Sequence, residues 1–260
     1  MRLKDITGFL FEFLFNKSFD IRKKKVVPIN YLTQINRLNY SLEEASLRHL
    51  FSSYDFGLVL DIGANQGQYY HQIRNVLGYK GWIVSVEPNP SDFEILKVNA
   101  GDDPKFIAIN QACGSSVGTV TLHVMEDSSL SSLYLANDNF KDRFFSDLSN
   151  TREITAEMTT VEAILKSLGL KWQGDIFLKT DTQGHDLEVM KGLGSYTGTI
   201  QAIQCEQSVI PIYDCVNDFT SINKFLNLEN FYQFSSTPVL RDKKDQSIME
   251  INAFYIRKIG

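Results

Sequence analysis

The chain is expected to fold as an α/β protein with a Rossmann-like, mostly parallel sheet, closed by an antiparallel β-hairpin and preceded by an N-terminal helical extension. Three observations lead there. An apolar strand at 58–60 runs into the glycine-rich turn Asp61-Ile62-Gly63-Ala64-Asn65-Gln66-Gly67 and then into a helix at 68–76. Apolar strands recur at 81–87 and 176–178, each leading to an acidic residue and then a helix. Two final strands, 231–239 and 247–257, are joined by the charged turn Arg241-Asp242-Lys243-Lys244-Asp245, which reads as a hairpin.

The first of these elements organises the rest. Leu58, Val59 and Leu60 suit a strand buried on both faces, and Asp61 stands at its carboxyl end, where open α/β sheets bind ligands. A dinucleotide fingerprint G-x-G-x-x-G needs its second glycine so that backbone can approach a pyrophosphate. Here Asn65 takes that place, and its side chain would crowd a phosphate. The negative charge of Asp61 beside the turn suits an ammonium. Asp61, Gly63, Asn65 and Gly67 are therefore read as a site for a nucleoside carrying an amino acid, S-adenosylmethionine, in preference to NAD. The plainer alternative is a turn that packs a helix on a strand.

A length of 260 residues with 43% hydrophobic content suits one large domain with an arm, divided as 1–40 and 41–260. Net charge −5 and a pI near 5.4 give no electrostatic footprint for nucleic acid. Cys113, Cys205 and Cys215 are odd in number and far apart, which indicates neither a zinc site nor a disulfide framework, and a reduced, cytoplasmic setting is expected. Residues 1–20 place Leu3, Ile6, Leu10, Phe13 and Leu14 at helical spacing, with a basic run from Arg22 to Lys25 after them. This is too short and interrupted to span a bilayer. An arm packing on its own domain or on a second copy of the chain is favoured over an amphipathic helix on a membrane.

Ser41-Leu42-Glu43-Glu44 forms a capping box that starts a helix towards Tyr54, with Leu42, Ala45, Leu50 and Phe51 as core contacts. Glu87 ends the second strand and follows Gly67 by 20 residues, where a carboxylate binds ribose hydroxyls in this topology. Asn89 and Pro90 lead into the next helix. A third strand at 106–110 puts Asn110 and Gln111 at its end, within reach of an adenine edge. Residues 118–125 alternate like an exposed strand, 127–134 form a serine-rich loop, and 139–155 form a polar excursion. The helix at 160–168 stops at Gly169. Asp181 lies beyond the strand 176–178, and Gly184 allows a turn into a helix with Asp186 and Glu188 in its first turn. Strand 200–205 leads to Glu206, with Pro211, Tyr213 and Asp214 in a loop at the same sheet edge, and a helix at 219–228 follows.

The blocks Leu60 to Gly67, Glu87-Pro88-Asn89-Pro90, Lys179 to Gly192 and Glu206 to Tyr213, in this order, resemble the FkbM family of S-adenosylmethionine-dependent methyltransferases over about residues 55–258. The resemblance implies the seven-stranded class I methyltransferase fold and methyl transfer to a hydroxyl of a sugar, glycan or natural product. Carried over by position, Asp61, Gly63 and Asn65 line the methionine end, Glu87 holds the ribose, and Asn110 or Gln111 lies near adenine. Gly67 and Asn89 belong to the same cofactor-binding blocks, and Glu206 and Tyr213 fall to the acceptor. The family most often has Glu where this chain has Asp186, and His185 stands at a variable place.

An alcohol is a weak acid, so a base must assist its methylation. Asp181 is the first candidate and His185 the second, since a helix start disfavours imidazolium. A Mg²⁺ ion on Asp181 and Glu206, with or without Asp186, is a third option, and no metal ligands are assigned. Two other functions stay open: a nucleotide-cofactor oxidoreductase, and an inactive S-adenosylmethionine-binding module that serves a partner. The acceptor is left open among glycans, lipid-linked sugars, polyketides and peptides.

Overall fold

The computed structural model describes residues 17–20, 25–28, 35–125, 127–137, 151–214, 219–242 and 247–258. The chain divides into compact units at residues 1–45 and 46–260. In the first, β1 (Lys17–Asp20) and β2 (Lys25–Pro28) pair antiparallel, so this part of the extension is a β-ribbon. The apolar residues read as an arm helix, Leu3 to Leu14, lie outside the described residues.

Helix α1 (Ile35–Ser53) passes straight through Ser41, which therefore caps nothing. Residues 35–40 carry no glycine or proline, so nothing stops the helix from extending back past the capping pattern. Leu42 and Ala45 are exposed, while Leu47 and Leu50 are fully buried.

The main sheet has seven strands: β3 (Phe56–Ile62), β4 (Trp82–Val86), β5 (Phe106–Ile109), β9 (Asp175–Thr180), β10 (Ile200–Ser208), β11 (Phe231–Arg241) and β12 (Ile248–Arg257). Their order is β11-β12-β10-β9-β3-β4-β5. All neighbours from β10 to β5 run parallel, and β12 is antiparallel to both β10 and β11. This is the expected hairpin closure. The chain leaves β3 towards β4 and β5, then returns to β9 on the other side. The carboxyl ends of β3 and β9 thus flank a topological switch point, where open α/β sheets form their ligand crevice.

Alternation along the strands feeds two cores. Leu58, Leu60, Val84, Leu178 and Ile203 face one layer. Val59, Ile83, Phe177 and Ala202 face the other, against Leu47 and Leu50 of α1 and against Tyr69, Tyr70 and Ile73. Each such large apolar side chain contributes about 1.5–3 kcal/mol. Tyr69 and Tyr70 lie on α2 (Gln68–His71), which continues through Val76 in a wider turn, as the 68–76 helix required. Helices α3 (Pro90–Ala100), α4 (Val161–Leu168), α5 (Asp186–Lys191) and α6 (Phe219–Leu228) complete the layers.

A second sheet, β6-β8-β7, comprises β6 (Ala112–Cys113), β7 (Gly118–Val124) and β8 (Arg152–Thr159). β7 is the alternating strand expected there, but β8 replaces the end of the expected polar excursion. Arg152, Glu153, Thr155 and Glu157 are exposed while Ala156 and Thr159 are buried, so the period-2 signal is masked by charged residues.

Candidate functional site

The glycine turn is shaped by close approach. Gly63 has φ 76°, and a Cβ there would lie 1.9 Å from the carbonyl oxygen of Asp181, so a side chain would push the ends of β3 and β9 apart. Asn65 also has positive φ, 47°, a conformation that Asn tolerates better than most residues. Its backbone N–H donates to Glu87 Oε2 at 2.8 Å, and the N–H of Asn89 donates to Glu87 Oε1 at 2.8 Å. Glu87 therefore ties the turn to the end of β4. Burial pushes its pKa up to about 7, against the pull of those two amides.

The other residues assigned to the cofactor divide. Gly67, at φ 92°, immediately precedes α2. Asn89 is the N-cap of α3: its Oδ1 accepts from the Ser91 amide at 3.2 Å, and its Nδ2 donates to Asp92. That capping role uses the side chain expected to bind cofactor. Asn110 Nδ2 donates to the carbonyls of Glu87 and Pro88 at 2.8 and 3.2 Å, at the crevice edge. Gln111 instead donates to Glu157 of β8 at 3.2 Å, on the second sheet.

Asp61 is fully buried, and its partners are Ser85 of β4, whose Oγ donates to Oδ2 at 3.1 Å, and Lys179 of β9. Lys179 Nζ lies 3.1 Å from Asp61 Oδ1 and 3.6 Å from Asp181 Oδ2, and it donates to the Gly63 carbonyl at 2.9 Å. Burial works against this ammonium, but the charges of Asp61, Asp181 and Asp186 outweigh it and raise its pKa. Sequence reasoning gave Lys179 no role, although a signal was present. A lysine after Ile176-Phe177-Leu178, in a strand buried on both faces, requires a carboxylate partner.

Asp181 keeps 40% of its side chain exposed, open to the crevice. Gln183 binds it to the rest of the site. Gln183 Nε2 donates to Asp181 Oδ1 at 3.1 Å and to Glu206 Oε2 at 2.7 Å, while its Oε1 accepts from Tyr213 at 2.7 Å. Gln183 has φ 51°, a left-handed conformation rare for a non-glycine residue. Burial, then Glu250, Asp181 and Asp186, raise the pKa of Glu206, and burial raises that of Glu250 to about 8. Asp181, Glu206 and Tyr213 are thus brought together by Gln183, a residue that had no assigned role.

His185 faces elsewhere. Its Nδ1 pairs with the Tyr134 hydroxyl at 2.9 Å, and its Nε2 is buried without a hydrogen bond beside Gly114, where a Cβ would come within 2.8 Å of it. Burial lowers its pKa. With one nitrogen paired and the other covered, His185 is poorly placed to take a proton from the crevice.

Residues 127–137 cross the mouth of the crevice. Ser128 Oγ accepts from Asn65 Nδ2 and donates to Asp92 Oδ1, both at 3.1 Å. Further along, the Tyr213 hydroxyl lies 3.1 Å from the Leu130 carbonyl oxygen and Ser132 Oγ donates to the Gln183 carbonyl at 2.7 Å. The amides of Asn137 and Asp214 then bond the carbonyls of Ile212 and Leu135 at 3.0 and 2.9 Å. The serine-rich loop thus lies against both sides of the site.

The profile of the methyltransferase FkbM domain matches residues 61–234, from Asp61 in the glycine turn to Phe234 in β11. The chain belongs to the FkbM methyltransferase family. Among solved structures, this FkbM chain is similar to the methyltransferase FkbM from Methylobacillus flagellatus KT, with 12% identity, a TM-score of 0.47, and coverage of 77% of this chain and 43% of that one. It thus spans less than half of that longer protein. It is also similar to the METTL16 methyltransferase domain (9% identity, TM-score 0.48, 100% and 93% covered). A third similar structure is the magnesium protoporphyrin IX methyltransferase of Synechocystis PCC 6803 with bound SAM (10%, 0.45, 97% and 92%). No protein of curated function matches the chain.

At the ends of β3, β4 and β9 the Asp181 carboxyl is open while Asp61 and Glu87 are buried, so the ammonium expected beside Asp61 is supplied within the chain by Lys179. Among the described residues, no group of three or more His, Cys, Asp or Glu is arranged to hold a metal ion. Among them, too, no helix is long and apolar enough to cross a membrane.

Proposed function

We propose that the chain is an S-adenosylmethionine-dependent O-methyltransferase, acting in the cytoplasm on a hydroxyl of a sugar, glycan or natural product. The observation that carries this reading is the acidic crevice at the switch point, where the open carboxylate of Asp181 lies beside the glycine turn. S-adenosylmethionine supplies a reactive methyl carbon on a positively charged sulfur. Asp61, Gly63 and Asn65 would hold its methionine end, and Glu87 its ribose. Asn110 would stand by the adenine.

The protein then has to align the acceptor and remove one proton. Asp181 would take the proton of the acceptor hydroxyl; the methyl group would pass to that oxygen as the carbon–sulfur bond breaks and the demethylated cofactor leaves as a neutral thioether. Lys179 and Gln183 hold the carboxylate in place, and Tyr213 braces Gln183. Positioning of the reactants supplies the larger part of the acceleration, and the base adds roughly 10²–10⁴-fold. His185 orients the Tyr134 hydroxyl in the wall formed by residues 127–137.

Isothermal titration of the full chain with S-adenosylmethionine, its demethylated product and NAD tests the cofactor. Binding of the first two and not NAD is expected, and binding of NAD alone would favour the oxidoreductase. Transfer of labelled methyl to a panel of polyhydroxylated acceptors then tests the reaction. Tight cofactor binding with no transfer to any of them would favour the non-catalytic binding module.

A further inference from the structure

Asp181 and Glu206 share one hydrogen-bond donor, Gln183 Nε2, at 3.1 and 2.7 Å. Two carboxyl groups held this close do not both carry charge without large repulsion. Their surroundings are unequal. Lys179 Nζ stands 3.6 Å from Asp181. Glu206 instead faces a like charge on the neighbouring strand. In the β10–β12 register, Glu206 pairs with Asn252 and Ser208 with Glu250, so Glu206 and Glu250 share one face of the sheet as diagonal neighbours. Asp186 of α5 adds a third carboxyl, and Tyr213 closes the cluster from the loop after β10. Every titratable group named here as facing Glu206 is acidic, whereas the ammonium lies on the Asp181 side.

We infer that Glu206 works as a neutral carboxylic acid, a hydrogen-bond donor that Gln183 holds beside the Asp181 carboxylate. The pair then presents one acceptor and one donor. Asp181 receives the proton of the hydroxyl being methylated, while the Glu206 O–H donates to a second oxygen of the same acceptor. This geometry suits neighbouring oxygens, as on a sugar ring. The inference rests on the methyl-transfer reading for its ligand only, and the charge state of Glu206 is measurable without any ligand.

The test compares Glu206→Gln with the native full chain. An amide keeps a donor and no charge, so it imitates the neutral acid. A group that holds its proton more tightly folded than unfolded loses stability as pH rises above the unfolded carboxyl range, about pH 4. The expected result is that E206Q melts above the native chain at pH 8, with the gap closing towards about pH 4. At pH 7 the infrared difference spectrum should show a neutral carboxyl band present in the native chain and missing from E206Q. E206Q should bind S-adenosylmethionine unchanged. A lower melting temperature for E206Q at pH 8, or no difference in the carboxyl band, would overturn the inference. If both physical results hold but no acceptor is methylated, the neutral Glu206 stands and the assigned reaction falls. Once an acceptor is found, Glu206→Ala, which removes the donor, should raise the acceptor KM more than E206Q, which keeps one, and Asp181→Asn should lose transfer. Equal rises in KM for the two Glu206 variants would mean that the carboxylate form is the working one.

Discussion

On the β3–β4 side of the crevice, Glu87 and Asn110 are satisfied by nearby backbone. Glu87 accepts two amides, from Asn65 and Asn89, and Asn110 donates to two carbonyls, all within 23 residues of sequence. On the β9–β10 side, side chains satisfy side chains and loop carbonyls across longer spans. Tyr213 reaches Gln183 over 30 residues, Tyr134 reaches His185 over 51, and Tyr213 reaches Leu130 over 83. A site fixed by backbone is set by the fold and suits an invariant ligand. A network of side chains can be rebuilt by substitution without moving a strand, which suits the part of a methyltransferase that must meet a particular acceptor.

The contrast can be broken by substitution on either side. Asp181→Asn should show the largest effect, a fall of about 10²–10⁴-fold in turnover with cofactor affinity unchanged, measured by labelled methyl transfer and titration calorimetry. An equal loss of cofactor affinity would place Asp181 on the cofactor side. Lys179→Met leaves Asp61 buried and uncompensated, so a loss of about 3–5 kcal/mol is expected in denaturant unfolding. A variant as stable as the native chain would mean that Asp61 takes up a proton at little cost.

Glu87 sharpens the contrast through pH. Its pKa is raised to about 7 in the fold, so the fold holds this proton more tightly than the unfolded chain does. Stability is therefore lost as pH rises from the ordinary carboxyl range to about 7 and is level above it, by about 3 kcal/mol in all. Glu87→Gln should flatten that part of the stability curve, and a slope left intact would assign it to another group. The smallest effect is expected at the seam between the sides. Ser128→Ala removes contacts to Asn65 and Asp92 and should weaken cofactor binding by about 0.5–1.5 kcal/mol. Titration calorimetry checks this, and unchanged affinity would detach residues 127–137 from the cofactor.

What could be read from sequence was what spacing encodes locally. The strand, glycine turn and helix around Asp61 stand as expected. Thr160 caps α4 by accepting from Ala163, and Gly169 ends it at positive φ. Local spacing also misled: Ser41 has the chemistry of a cap but sits within a helix that had no reason to start there. β8 was hidden because its charged residues mask the period-2 signal, and its pairing with β7 spans the intervening residues. Lys179, Gln183, Ser128 and Tyr134 make contacts set by strand order, which no short window contains. Asn89 shows the converse case, in which a residue in the right motif serves the helix beside it.

The position of β12 has a consequence for how the molecule is made. Residues 248–257 form an interior strand, between β10 and β11. Until they emerge during synthesis, β10 is an open sheet edge, and Glu250 is missing from the face it shares with Glu206. A chain stalled before this point holds the finished glycine turn beside an unpaired nine-residue edge, β10, free to pair with other chains. Completion of this part of the sheet is thus coupled to the synthesis of residues 248–257.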